Sequence, residues 1–215
     1  MSFWEYLSYR REFLLYESGQ HALLVFLAVA MATVLGVGLG ALVWRHRRAS
    51  AAAVALTGGL FTIPSLALMT LLLPLLGLGW TTSLTALVIY SLLPIVRNTV
   101  AGLRSVDPSM VEAARGMGLG PVRTLLRIEL PLAWPVILAG IRVATQLVMG
   151  IAAIAAYVAG PGLGNRIFTG LQRLGSANAL NDALAGTLGV VVLALLFDAG
   201  FVLVRRLTTS RGIRA

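Results

Sequence analysis

The chain of 215 residues contains no cysteine, and its 17 basic residues are all arginine, so it has no lysine either. The first absence removes disulfides, thiolate metal sites and a cysteine nucleophile. The second removes Schiff-base chemistry and the phosphate-cradling Walker loop, which needs its lysine; a conventional P-loop ATPase is excluded. Imidazole is scarce as well: His21 and His46 are the two histidines, at opposite ends of one apolar run. Charge is sparse, at 12% of residues against 58% hydrophobic, where soluble domains carry about 25% charge and roughly 45–50% apolar residues. With a mean hydropathy of +0.89, the composition is that of a membrane protein. The net charge of +9 would suit nucleic acid, but the apolar content argues against that partner, and the placement of the arginines gives them another use. No low-complexity tract or linker divides the chain, which reads as one domain.

Residues 1–20 mix Phe3, Trp4, Tyr6, Tyr9, Phe13 and Tyr16 with charged side chains. They are expected to form an interfacial segment, since aromatic rings favour the headgroup level. Apolar runs of about the length a bilayer needs, about 20 residues, then follow. The first is Ala22–Trp44, in which Gly36, Gly38 and Gly40 offer a small surface for helix packing. The second, Ala51–Trp80, contains Gly58-Gly59, Pro64 and Pro74 and is expected to kink or unwind near Pro64. The third is Trp80–Val96, its polar end continuing towards Leu103. The fourth runs from about Leu132 to Ala159 with Arg142 inside it, and the fifth from about Ala183 to Val204 with Asp198 inside it. The expected fold is an all-α polytopic membrane protein of about five transmembrane helices, with the membrane region at 21–205 and a tail at 206–215.

Five spans put the termini on opposite sides. Twelve arginines, including Arg45, Arg47, Arg48 and all those between Arg97 and Arg127, fall on one side, and four, Arg10, Arg11, Arg166 and Arg173, on the other. The positive-inside rule then places the C-terminus in the cytoplasm and the N-terminus outside.

The same rule puts Asp107–Pro131, the long polar interruption, in the cytoplasm. Asp107 suits an N-cap and Pro108 the first helical position, so Ser109–Met117 is expected to be helical. Gly118 or Gly120 supplies a left-handed turn, Pro121 starts a second helix through Leu130, and Pro131 discourages its continuation. Glu112 and Arg115, three apart, can pair; Ala113 and Ala114 leave a low-relief surface. An ordinary helical loop is the plain alternative on these grounds.

Glu112-Ala113-Ala114, Gly118 and Ile128-x-Leu130-Pro131 resemble, at full spacing, the EAA signature of permease subunits of bacterial ABC importers. The resemblance implies a type I importer-like fold in the bacterial inner membrane and a coupling loop at 107–131. It makes Glu112, Ala113, Ala114, Arg115, Gly118 and Pro131 the residues that engage a separate cytoplasmic ATPase, which uses the ATP and Mg. The chain itself would need no cofactor or metal and would not be an enzyme. Phe61–Leu68, Leu93–Leu103, Glu129–Leu132 with Pro135–Arg142, and Gly162–Leu171 further resemble osmoprotectant importer permeases for glycine betaine, choline or carnitine. Implied partners are a second, identical or similar permease, an extracytoplasmic solute-binding protein and membrane lipid. A permease for an amino acid or other small solute, a self-sufficient secondary transporter and a non-transporting scaffold are the alternatives.

Within the spans, Arg142 and Asp198 lie at depths that differ by only ~5 Å at the helical rise. They either pair or separate, with Arg142 reaching the cytoplasmic edge and Asp198 a wet cavity. Pro64 and Ser65, with Thr62, mark either an unwound point on the pathway or a plain kink. Phe61, Tyr90, Trp134 and Tyr157 are aromatic faces available to a quaternary ammonium or to packing. The Gly160–Gly164 turn is a candidate contact for the binding protein, or a plain loop.

Overall fold

A computed structural model describes residues 1–208; of the expected tail at 206–215, residues 209–215 lie outside the described part. Helices account for nearly all of it: α1 Phe3–Val43, α2 Arg47–Thr62, α3 Ser65–Leu76, α4 Trp80–Arg104, α5 Pro108–Gly116, α6 Pro121–Thr124, α7 Leu130–Ile154, α8 Gly164–Gln172 and α9 Ala179–Thr208. A π-helical turn, Leu125–Glu129, joins α6 to α7, and a 3-10 turn, Ala155–Val158, follows α7. Four helical stretches are long and apolar enough to cross a membrane.

The candidate fifth crossing is α2 with α3, which meet at a 94° bend. Ile63 and Pro64 are both extended there, at ψ 128° and 137°, because Pro64 restrains the residue before it and cannot donate to the helix. The loose ends are tied locally: the Thr62 hydroxyl donates to the Gly59 carbonyl at 2.7 Å, and the buried Tyr90 hydroxyl donates to the Ile63 carbonyl. Gly58-Gly59 and Pro74, also expected as breaks, sit inside α2 and α3.

The centre of the bundle is α1, α4 and α7, with Leu24, Val25, Leu87, Ile95, Ile137 and Met149 almost wholly buried. Lipid tails are as apolar as leucine, so such helices associate through close packing. Gly36 and Gly40 supply it: a Cβ on either would fall 2.8 Å from Ile95 Cγ2 or 2.6 Å from Thr99 Cγ2 on α4, whereas Gly38 faces open space. By contrast α9 lies at the edge, and none of its most apolar window is buried within the chain.

Two expectations need correction. No break separates residues 1–20 from the first span, because α1 is continuous for 41 residues and Ser2 and Glu5 cap it reciprocally. Pro131 does not stop the helix of the hairpin. The Leu130 amide bonds to the Leu125 carbonyl, five residues back, so the turn widens just where the Pro131 ring would strike a carbonyl, and α7 runs on. The Gly-rich, polar segment 160–182 holds α8.

Candidate functional site

The polar hairpin is built as a capped helix, a left-handed turn and a return. The Asp107 carboxylate accepts from the Ser109 amide at 2.8 Å, which holds its carboxyl below the usual carboxylate range. Pro108 occupies the first turn of α5. After Met117, Gly118 turns at φ +80° and lets the Leu119 amide reach back to the Ala114 carbonyl at 3.1 Å. Ala114 is 1% exposed and faces the body of the chain, while Glu112, Ala113 and Arg115 face outward. Met110, Met117, Val122 and Leu126 are exposed beside them, an unusual apolar display for a polar hairpin. Among the described residues no ion pair joins Glu112 to Arg115, so that expected pairing is absent; the Arg115 backbone instead serves the turn, its carbonyl accepting from the Gly118 amide.

The hairpin is fastened by residues the sequence reading passed over. Glu129, inside the Ile128–Pro131 stretch, is 1% exposed and accepts from Arg45 Nη2 at 3.2 Å through both oxygens. Nearby, Arg104 donates to the Trp44 carbonyl and at 2.6 Å to the Ser50 hydroxyl. The turn between α1 and α2 is thus tied to the end of α4 and to the start of α7. A carboxylate next to an apolar helix start was the signal; its partner, 84 positions away, had none.

Deeper in the bundle the structure brings Arg142 and Asp198 together. Arg142 Nε lies 2.6 Å from Oδ1 and Nη2 2.7 Å from Oδ2, and Gln146 Nε2 donates to Oδ1 at 2.8 Å. This two-pronged geometry is the strong form of the arginine–carboxylate contact, and it joins α7 to α9. Pro64 and Ser65 stand at the bend between α2 and α3, away from this pair. The four aromatic residues do not converge. Phe61 packs edge-on against Tyr90 at 5.9 Å, Tyr157 against Phe168 at 4.2 Å, and the Trp134 indole donates to the Thr208 hydroxyl at 2.8 Å.

At the end opposite the hairpin, a second cluster ties α1 to α8 and α9. Arg166, 15% exposed, pairs with Glu17 at 3.0 Å and Asp182 at 3.4 Å and lies over the Phe13 ring at 4.4 Å; the Tyr6 hydroxyl donates to Asp182. The Gly160–Gly164 turn borders this region, with Gly162 against His21.

A helical membrane subunit with a broken second crossing and a polar hairpin at one end has the architecture of a transport permease. The chain belongs to the family described as the inner membrane component of binding-protein-dependent transport systems, whose model matches residues 32–209. It is therefore a multi-pass inner-membrane protein and the permease subunit of an ABC importer. It is 33% identical to the glycine betaine/carnitine/choline transport system permease protein OpuCB of Bacillus subtilis, over 94% of this chain and 91% of that one. It is 39% identical to the osmoprotectant import permease protein OsmW of Salmonella typhimurium, over 91% of each. In fold it matches a chain of the inward-facing methionine transporter MetNI with a TM-score of 0.80 at 18% identity, covering 94% of this chain and 98% of that one. A chain of an amino acid ABC transporter matches with a TM-score of 0.73 at 21% identity, over 96% and 98%.

Proposed function

We propose that this permease carries an osmoprotectant of the glycine betaine, choline or carnitine type. The observation that supports this reading is similarity over more than nine-tenths of the chain to permeases named for those solutes. The outward face of α5 then docks on a cytoplasmic ATPase, with Glu112 and Ala113 at the contact and Met110 and Met117 as its apolar part. Ala114 and the Gly118 turn set the angle of that face. ATP and Mg belong to the partner, the hairpin and C-terminus lie in the cytoplasm, and the N-terminus lies outside. A second permease subunit completes the pathway and an extracytoplasmic binding protein delivers the solute.

The test is uptake by the reconstituted complex with its binding protein, against a panel of osmolytes and amino acids. ATP-dependent uptake of a quaternary ammonium solute, lost together with ATPase co-purification in Glu112→Arg, is the expected result. Uptake of an amino acid alone would move the substrate class, and uptake without ATP would overturn the coupling.

A further inference from the structure

The polar hairpin is covalently continuous with two crossings. It leaves α4 after Arg104 and returns through the π turn into α7, so a displacement of α5 reaches those helices through the backbone. The broken crossing has no such link. Trp44, Arg45 and His46 separate its α2 limb from α1, and side chains in and beside that turn make the connection instead. Arg45 meets Glu129 at the root of α7, while Arg104, at the root of α4, donates to the Trp44 carbonyl and the Ser50 hydroxyl. The two roots also pack on one another: a Cβ on Gly102 would fall 3.0 Å from the Ala133 carbonyl oxygen.

The backbone places Glu129 for this contact. It closes the π turn Leu125–Glu129, a change of register often found at functional positions in helices. The turn leaves the carboxylate buried, with a single nitrogen, Arg45 Nη2, reaching both oxygens. Losing one partner of such a pair is costly, but the intact pair adds little net stability over apolar side chains of similar volume. Stability alone therefore does not account for a carboxylate at this position. What the pair supplies is direction, since a charge-assisted bond is satisfied in one alignment of the two segments. Arg45 comes to it from the surface, its guanidinium lying over the Trp44 ring at 5.1 Å.

We propose that Arg45 is a positioning residue for coupling: acting through Glu129, it carries the displacement of the hairpin to the α1–α2 turn, and so to the bend at Pro64. The role rests on the reading that α5 docks on an ATPase and is indifferent to the solute carried. Coupling between distant sites is carried by packed side chains, bonded networks and rigid elements. Here α2 is the rigid element, running from Arg47 to Thr62 with Ser50, Ala53 and Thr57 buried. Arg104 steadies the same turn from α4, but its partners are neutral. Without the Arg45–Glu129 bond the ATPase still docks, because neither residue lies on the outward face of α5, and its movement is no longer passed on in full.

The experiment measures uptake, ATP hydrolysis and Tm of the intact permease–ATPase complex in liposomes with its binding protein, using whichever solute of the panel wild type takes up. The double variant Arg45→Ala/Glu129→Gln strands no buried charge, so its Tm should recover relative to Arg45→Ala. It should keep the co-purifying ATPase and its hydrolysis, while solute moved per ATP falls roughly tenfold, within the ~5–150-fold range of couplings between sites. Arg45→Lys should stay near wild type in solute per ATP, since one nitrogen makes both contacts. A fastening of the fold alone predicts otherwise: solute per ATP unchanged in the double variant, with total uptake following Tm across the set. That result, loss of the ATPase from the double variant, or an Arg45→Lys variant as uncoupled as the double variant would each overturn the positioning role. Each leaves the docking reading standing so long as wild-type uptake is driven by ATP. Wild-type uptake that needs no ATP would overturn the docking reading, and the positioning role with it.

Discussion

The Arg45 guanidinium bridges from the turn after α1 to the carboxylate of Glu129, with Nη2 3.2 Å from both oxygens, and this bond joins the first crossing to the π turn that launches α7. Glu129 is 1% exposed, whereas Arg45 is 40% exposed. Removing Arg45 leaves a buried carboxylate unpaired, which costs about 3–5 kcal/mol when both partners are buried. With Arg45 partly in solvent, Arg45→Ala should cost roughly 2–3 kcal/mol. Glu129→Gln in the same chain should recover part of that loss, because the neutral amide does not need the guanidinium. Thermal unfolding of the two variants and the double variant checks this; a double variant no better than Arg45→Ala would show that Arg45 acts through its stacking over the Trp44 ring, 5.1 Å from the ring centre.

The cap of α5 carries a pH dependence whose sign follows from its geometry. The Ser109 amide lowers the Asp107 carboxyl. A group depressed in the folded state stabilises above its unfolded value, about 3.9, and loses that contribution as pH falls through the lower folded value. The stability advantage of wild type over Asp107→Ala should therefore be full at neutral pH and shrink below about pH 3.9. Asp107→Asn accepts the same amide bond without titrating, so its advantage over Asp107→Ala should hold across the range. Amide exchange in residues 108–116, followed against pH, reads both.

Gly118 turns at φ +80°, and a Cβ added there would meet nothing within 4 Å. The cost of a side chain is thus conformational alone. It is ~1–2 kcal/mol for an ordinary residue in the left-handed region and less for asparagine. Gly118→Val should weaken ATPase co-purification and uptake more than Gly118→Asn, although both are larger than glycine. The reverse order would mean that space rather than backbone angle is limiting at the turn.

Which of these features were legible beforehand divides along chain distance. The caps of α5, the left-handed Gly118 and the break at Pro64 all depend on residues within a few positions, and composition announces them. The spans were legible because bilayer thickness sets their length. Arg45–Glu129, Tyr6–Asp182 and Glu17–Arg166 were not, because each links positions 84 to 176 apart. Local pattern therefore read Tyr6 and Glu17 as surface residues of an interfacial segment, when the fold buries them. The continuation of α7 through Pro131 failed for another reason. Proline normally stops a helix, and only the widened turn at Leu125–Glu129 makes room for it.

The sequence allows Arg142 and Asp198 either to pair or to stay apart, and their two-pronged contact makes a specific demand. A charged side chain inside a span is costly unless paired. Arg142→Ala and Asp198→Ala should each lower Tm and membrane yield, since each strands the other charge. Asp198→Asn should be milder, because an amide oxygen still accepts from the guanidinium. The exchange Arg142→Asp/Asp198→Arg should restore part of the loss. If it restores none, the contact contributes through its surroundings, with Gln146 the first of these to vary.

Gly140 carries the tightest packing demand on the central helix pair. A Cβ there would lie 2.5 Å from Asn98 Cβ and 2.7 Å from the Pro94 carbonyl oxygen on α4. The second of these is backbone, at a proline that already leaves its helix one hydrogen bond short, so rotamer change cannot relieve it. Overpacking of a filled core costs typically ~1–3 kcal/mol, and Gly140→Val should reach at least the upper end. Gly38→Val makes the same substitution on α1, where no neighbouring atom lies within 4 Å. It should leave Tm close to wild type in detergent. Comparing the two by thermal unfolding separates packing from the general effect of adding a β-branched residue to a membrane helix; equal losses would place the α4–α7 contact elsewhere than at Gly140.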